Sequence, residues 1–416
     1  MSRIMIEGGR TLRGEHTVQG SKNAVLPILA ASVLVSGESV FLGCPDITDV
    51  YETLELMKKL GCKVNGNCRE LRIDASTISS EEVTDKSAVN SRASVMLMGA
   101  LIGRVKKAVV RYPGGCTIGC RPIDMHLSAL RKMGVLIQET ADRMICETNA
   151  IQSSVIVFPI VSVGATESVI LAAVLSEGTV RIKNAACEPE IKSMCDYLRR
   201  CGAQIYGDGT REITIKGVKK LVPCEYTVPY DRIVCGTYLF AVAATGGRVV
   251  LHNSNCFDVQ SILDTLRECG CRIRCYDSAI ALEAPERLRA VPYTQTEAFP
   301  GFPTDMQSQL SALLCSADGT SIVRETIFEG RFHVIPELRK MGAAIEVSDD
   351  ILLIEGKKRL KGCTVSAKEL RGSAALVIAG LAAEGVTTID TEQYLLRGYQ
   401  DIVGDLQQLG AGIIRV

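Results

Sequence analysis

The sequence predicts an α/β (α+β) protein of two domains, each made of three copies of one helix-and-strand unit. Three observations predict it. A phrase that ends a helix occurs six times at near-constant spacing, a nearly all-apolar helix precedes each phrase, and short strand-like runs accompany both.

The helix-ending phrase has the form apolar, polar, polar, apolar, Gly. It reads MKKLG at 57–61, LRKMG at 130–134, LRRCG at 198–202, LRECG at 266–270, LRKMG at 338–342 and LQQLG at 406–410. The glycines stand 73, 68, 68, 72 and 68 residues apart. Each suits the left-handed position just past a helix, and basic residues before five of the six suit the negative end of the helix dipole. The residues after the glycine are strand-like, as in AAIEV at 343–347 and AGIIRV at 411–416.

Upstream of each phrase lies a second helix, and it is apolar on nearly every side. These begin at Ala24, Arg92, Ala165, Arg232, Thr304 and Arg371, and such helices belong in a core. Turns and short strands link the two helices: GTVRI at 178–182, GRVVL at 247–251, GTSIV at 319–323 and GVTTI at 385–389. A period of about 70 residues is too long for the common solenoid repeats, so compact grouping, three units to a domain, is expected.

Composition narrows the function. The chain has 416 residues, 47 basic and 47 acidic, with no long run of one sign. That excludes the basic stripe of a nucleic-acid or anionic-membrane binder and leaves small molecules as the expected partners. The longest apolar stretches, such as residues 24–36, stop short of the roughly 20 residues a membrane helix needs. The N-terminus has early charges and no apolar signal core, so the 17 cysteines are expected to be reduced thiols in the cytoplasm. Cys269, Cys271 and Cys275 lack a second close pair of ligands, and the chain has four histidines, so no metal is expected.

Candidate site residues stand at the mouths of the apolar helices: Ser21, Lys22 and Asn23; Ser91 and Arg92; Thr166 and Glu167; Asp231 and Arg232; Thr304 and Asp305; Arg371 and Ser373. Free backbone N–H groups and partial positive charge make helix N-termini into anion sites. Ser21, Ser91 and Thr304 also read as plain N-caps, and Asp305 reads equally as a cap or a site. Capping does not explain Lys22, Arg92 or Arg371, because a cation there is unfavourable unless an anion or a carboxylate joins it. A structural ion pair and a substrate contact both remain open for them. Between the second apolar helix and its partner, Gly114, Gly115 and Gly119 surround Cys116, the setting of a mobile lid, with Arg111 and Arg121 favouring thiolate. His126, in the next helix, reads as a structural histidine more readily than as a base.

Seven motifs then form one ordered set: SKNAVLPILA with Lys22 and Asn23, PGGCTIGCRP with Cys116 and Arg121, SVGATE at 162–167, EPEI at 188–191, FPTDMQ with Asp305, ETIFEGRF with Arg331, and RGYQDI with Arg397. Together they resemble the UDP-N-acetylglucosamine 1-carboxyvinyltransferases, the enolpyruvyl transferases that begin peptidoglycan precursor synthesis, over essentially the whole chain. The resemblance implies an inside-out α/β barrel architecture of six βαβαββ repeats. Residues 22–229 would form one domain carrying the Cys116 loop, residues 1–21 plus 230–416 the other, and the active site would lie in the cleft between them.

The same resemblance implies transfer of the enolpyruvyl group of phosphoenolpyruvate to the 3-hydroxyl of UDP-N-acetylglucosamine by addition and elimination, with loss of phosphate and no cofactor. It also implies a cytoplasmic role in cell-wall biogenesis, cell shape and division, and sensitivity to fosfomycin. Cys116 would be the general acid and Asp305 the acceptor of the sugar hydroxyl proton. Lys22, Arg121 and Arg397 would hold phosphoenolpyruvate, with Arg331 and Arg371 shaping its side of the site. Asn23, Arg92, Arg121, Pro122, Ile123, Asp124, Ser162, Val163, Gly164 and Ile327 would contact the nucleotide sugar.

Three positions depart from the family pattern. Val234 replaces a glutamate in D-R-I-E, Ile160 replaces a basic residue before V-S-V-G, and Glu369 stands where an aspartate often supports the last-unit arginine. One alternative is therefore a weak or inactive paralogue that binds UDP-N-acetylglucosamine and regulates. The sibling enzyme acting on shikimate 3-phosphate is a second, against which the Cys116 loop and SVGATE speak. A repeat protein with no site leaves the charged helix mouths unexplained.

Overall fold

The computed structural model describes residues 3–84, 93–112, 122–357, 359–390 and 392–416. They divide into two compact units, residues 20–112 with 122–229, and residues 3–19 with 230–416. Each unit has its own hydrophobic core.

The repeat predicted from sequence is visible strand by strand. In the third copy, strand Ser154–Val157 leads through helix Val163–Ala173 to the parallel strand Thr179–Lys183. Helix Pro189–Arg200 and the antiparallel strands Gln204–Tyr206 and Glu212–Lys216 complete it. The described residues form six four-stranded sheets, each with one parallel outer pair and two antiparallel ladders. A parallel pair needs a crossover, and in four of the six sheets an apolar helix of the same copy supplies it.

Three strands come from outside the copy whose sheet they complete. Glu225–Thr227 lies parallel to Glu38–Leu42 and completes the first sheet of its unit. Arg13–Thr17 does the same for the other unit beside Arg248–His252, while Arg3–Glu7 fills the middle of that unit's last sheet between Val386–Asp390 and Gly412–Arg415.

The six repeat glycines, Gly61, Gly134, Gly202, Gly270, Gly342 and Gly410, all have φ between +87° and +102°, the left-handed helix end that a side chain disfavours. The apolar helices predicted from sequence are helices Lys22–Ser32, Ala93–Val105, Val163–Ala173, Arg232–Ala244, Gln307–Leu314 and Leu370–Ala382, and they fill the two cores. Ala93–Val105 and Val163–Ala173 pack so closely that a Cβ on Gly103 would stand 2.5 Å from the Leu171 carbonyl oxygen. These two helices are thus held by backbone-to-backbone packing that leaves little freedom to shift.

The expectation of reduced thiols fails at one pair. Cys256, opening a short turn, and Cys275, on strand Arg272–Tyr276, form a disulfide across Cα atoms 6.1 Å apart. The turn brings together cysteines 19 residues apart, which spacing alone does not reveal. Cys269 and Cys271 remain buried thiols, and the described residues contain no cluster of three or more metal-ligating side chains. No helix among them is long and apolar enough to cross a membrane.

Candidate active site

In the unit of residues 20–112 and 122–229, Ser21 caps helix Lys22–Ser32 by accepting from the Ala24 N–H at 3.2 Å. Ser21 is therefore a cap, and Lys22 is the first helical residue. Its Nζ lies 2.8 Å from the Asp49 carboxylate, which opens the neighbouring helix Thr48–Lys59. The cation at a positive helix end thus has the carboxylate partner it requires. Asp49 is the partner of a candidate site residue, and the sequence does not single it out, since one aspartate in a first helical turn looks like ordinary dipole compensation. Asn23 comes next, half-buried, on the same helix.

The two segments proposed from sequence for the nucleotide sugar meet in this unit. Ser162 caps helix Val163–Ala173 through the Ala165 N–H at 3.3 Å, and helix Asp124–Lys132 follows Pro122 and Ile123. Their contact is Gly164 against His126, where an added Cβ would stand 2.9 Å from the ring Nε2. His126 is buried and serves here as the packing piece between the segments. Ile160 is 64% exposed, so the lost basic residue leaves an apolar side chain in solvent. Arg92, Cys116 and Arg121 lie outside the described residues.

In the other unit, Asp305 sits in the turn Thr304–Met306 that opens helix Gln307–Leu314. One carboxylate oxygen accepts from Arg331 at 2.5 Å and the other from Arg371 at 2.6 Å. Both arginines are buried, while the aspartate side chain keeps 23% of its surface. Burial works against the Arg371 charge, but Asp305, Tyr399 and Asp231 together outweigh it and move the guanidinium pKa upward. Arg331 Nη1 also lies 3.7 Å from Glu369. Glu369 caps helix Leu370–Ala382, accepting from the Arg371 N–H at 2.7 Å and from the Gly372 N–H. The longer side chain therefore does the work of an N-cap and also stands beside Arg331.

Tyr399 extends the cluster inward. Its hydroxyl bonds the Thr237 hydroxyl at 2.8 Å and reaches Arg371; burial pushes its pKa up and Arg371 pulls the other way. Arg397 ends the turn Glu392–Arg397 and is half-buried. The peptide groups after it are pinned by Gln19, which donates to the Gly398 carbonyl at 3.1 Å and accepts from the Gln400 N–H at 2.8 Å. Ile327 is partly exposed two residues past Glu325, its N–H bonded to that carboxylate at 2.8 Å.

Val234 is fully buried at the third helical position after the Asp231 cap. A glutamate there would complete a reciprocal capping box by reaching the Asp231 N–H. Here that N–H donates to the Gln19 carbonyl at 2.9 Å. The helix start is closed by backbone instead, which explains why the missing carboxylate leaves the cap intact.

Residues 6–406 match the family model of EPSP synthase (3-phosphoshikimate 1-carboxyvinyltransferase). The chain is 43% identical, over the whole of both sequences, to UDP-N-acetylglucosamine 1-carboxyvinyltransferase 2 of Caldanaerobacter subterraneus subsp. tengcongensis. It is 44% identical to UDP-N-acetylglucosamine 1-carboxyvinyltransferase 1 of Symbiobacterium thermophilum, over 100% of this chain and 95% of that one. The chain belongs to the UDP-N-acetylglucosamine 1-carboxyvinyltransferase family of enolpyruvyl transferases. The enolpyruvyl transferase NikO from Streptomyces tendae has the same fold, with a TM-score of 0.89 at 24% identity, covering 100% of this chain and 99% of that one. EPSP synthase from Acinetobacter baumannii is more distant, at a TM-score of 0.74 and 19% identity over both whole chains.

Proposed function

We propose that this protein transfers the enolpyruvyl group of phosphoenolpyruvate to the 3-hydroxyl of UDP-N-acetylglucosamine and releases phosphate, the first committed step of peptidoglycan precursor synthesis in the cytoplasm. The observation that carries this reading is the Asp305 cluster. A half-buried carboxylate, held through both oxygens by two buried arginines, stands where the family motif has its acceptor for the sugar hydroxyl proton. A proton acceptor must be ionised, and two adjacent guanidinium groups favour that form.

In the reaction, Asp305 takes the proton of the 3-hydroxyl as its oxygen bonds to C2 of phosphoenolpyruvate. Cys116 delivers a proton to C3, giving a tetrahedral intermediate that still carries phosphate. Loss of a C3 proton and departure of phosphate restore the double bond. Lys22, Arg121 and Arg397 hold the phosphate and carboxylate of the donor, a substrate whose charge calls for several cations. Asn23, Arg92, residues 121–124, residues 162–164 and Ile327 hold the nucleotide sugar. Lys22 reaches this role with Asp49 beside it, so its ammonium is oriented before a substrate anion arrives.

The test is phosphate release from phosphoenolpyruvate with and without UDP-N-acetylglucosamine, beside a Cys116→Ala control. Release that needs both substrates and fails in the control supports the transferase. No release from protein that still binds the sugar nucleotide overturns it in favour of a regulatory paralogue.

A further inference from the structure

Glu325 has no part in the reaction above, yet it organises the residues that do. It is buried and accepts four hydrogen bonds. One oxygen takes the Thr296 hydroxyl at 3.0 Å, the Ile327 N–H at 2.8 Å and the Phe328 N–H at 3.0 Å. The other takes the Thr304 hydroxyl at 2.9 Å. Because an ionised carboxylate only accepts, Thr304 must donate to it, which turns the threonine lone pairs toward Arg331 Nε, 3.3 Å away. Arg331 in turn donates to Asp305. The polarity of this chain, Arg331 to Thr304 to Glu325, is therefore set at its buried end.

The two carboxylate oxygens also serve two different parts of the site. One fixes the turn that carries Asp305 and the other fixes the backbone of Ile327. We propose that Glu325 is a positioning residue for the transfer: acting through Thr304 and the backbone of residues 327–328, it locks the arginine on Asp305 to the loop that meets the nucleotide sugar. This inference rests on the function proposed above. Its consequence is that Glu325 governs the chemical step and the sugar-nucleotide KM.

Glu325→Gln is the first test. The variant keeps the volume and one carbonyl oxygen for the two loop N–H groups, but presents Thr304 with a donor in place of an acceptor. The threonine hydroxyl then loses its acceptor and its lone pairs are contested by two donors. The expected result is a kcat lowered roughly tenfold to a hundredfold, the range for a displaced catalytic group. The acid limb of the kcat–pH profile moves to higher pH, because a less well seated Arg331 supports the Asp305 charge less. Thr304→Val should reproduce the loss, Thr304→Ser should recover most of it, and Thr304→Val added to Glu325→Gln should cost little more than either alone.

Wild-type protein is assayed first. No phosphate release there overturns the proposed function and this inference together. Release by wild type, with Glu325→Gln unchanged in kcat and pH profile, overturns this inference alone, as do fully additive losses from the two positions. Where Glu325→Gln melts below the assay temperature, the contrast between Thr304→Val and Thr304→Ser decides: equal activity in those two variants overturns the proposal.

Discussion

Lys22 Nζ stands 2.8 Å from the Asp49 carboxylate, and both side chains are largely buried, at 13% and 6% exposure. Lys22 begins a helix, so its charge meets the partial positive charge of free backbone N–H groups. Asp49 offsets that repulsion from a neighbouring helix, which makes the pair a condition for keeping a lysine at this helix mouth.

Removing one partner should therefore cost more than removing both. Asp49→Ala leaves a buried ammonium at a positive helix end, and about 3 kcal/mol of stability should be lost, the usual scale for a buried pair broken from one side. The double change, Lys22→Ala with Asp49→Ala, should be more stable than Asp49→Ala alone. Urea unfolding of the four proteins measures the cycle, and losses that simply add would show that the pair contributes no coupling.

Asp305 faces the opposite problem, one carboxylate between two buried arginines. Under the proposed function, Asp305→Asn should lower kcat at least a hundredfold, since the proposed acceptor of the sugar proton is gone. It should also lower stability by about 2–4 kcal/mol, because Arg331 keeps Glu369 only at 3.7 Å and Arg371 loses its 2.6 Å partner. The two readouts report on separate roles of one carboxylate. An unfolding midpoint equal to wild type would mean the arginines do not depend on Asp305, whatever happens to turnover.

The repeat and the helix mouths were legible in the sequence because both rest on local rules. A glycine after an amphipathic helix and a run of small apolar residues each have a short-range signature, and the φ values of the six glycines agree with it. Lys22 and Arg371 were legible as anomalies, cations where the dipole disfavours them. Their partners were not. Asp49 lies 27 residues from Lys22 and Asp305 lies 66 from Arg371, and nothing local tells such a carboxylate from a cap or a solvated charge. Glu325 was hidden for the same reason: its importance lies in four donors that converge only after the fold forms. The Cys256–Cys275 disulfide likewise depends on a turn meeting an edge strand.

Gly164 gives a test of the other unit. Its hydrogen occupies the space where a methyl group would stand 2.9 Å from His126 Nε2. Because His126 is buried, Gly164→Ala should force the imidazole to shift and cost about 1–3 kcal/mol, the range for overpacking. Under the proposed function, the displaced segments should raise the KM for UDP-N-acetylglucosamine and leave that for phosphoenolpyruvate nearly unchanged. A variant with wild-type stability and kinetics would show that the contact between the two segments is dispensable.

The thiols should separate by environment, and pH gives the sign. Cys224 lies 3.5 Å from Cys201; the hydrogen bond from Cys201 lowers the Cys224 pKa below the ordinary 9.0 even though partial burial opposes it, and nearby Arg200 assists. Burial pushes Cys44, Cys146, Cys269, Cys271 and Cys315 up to about 12. The thiolate is the reactive form, so iodoacetamide at pH 7.5 should label Cys224 well ahead of those five, and its labelling should reach half its maximum below pH 9. Cys256 and Cys275 should take label only after reduction. Under the proposed function, an epoxide that mimics phosphoenolpyruvate should choose Cys116 instead, because substrate-like binding and not thiol acidity directs it. Peptide mapping of both reactions distinguishes the two causes: iodoacetamide label spread evenly over the buried thiols would refute control by acidity, and epoxide label on Cys224 in place of Cys116 would refute the assignment of Cys116 to the donor site.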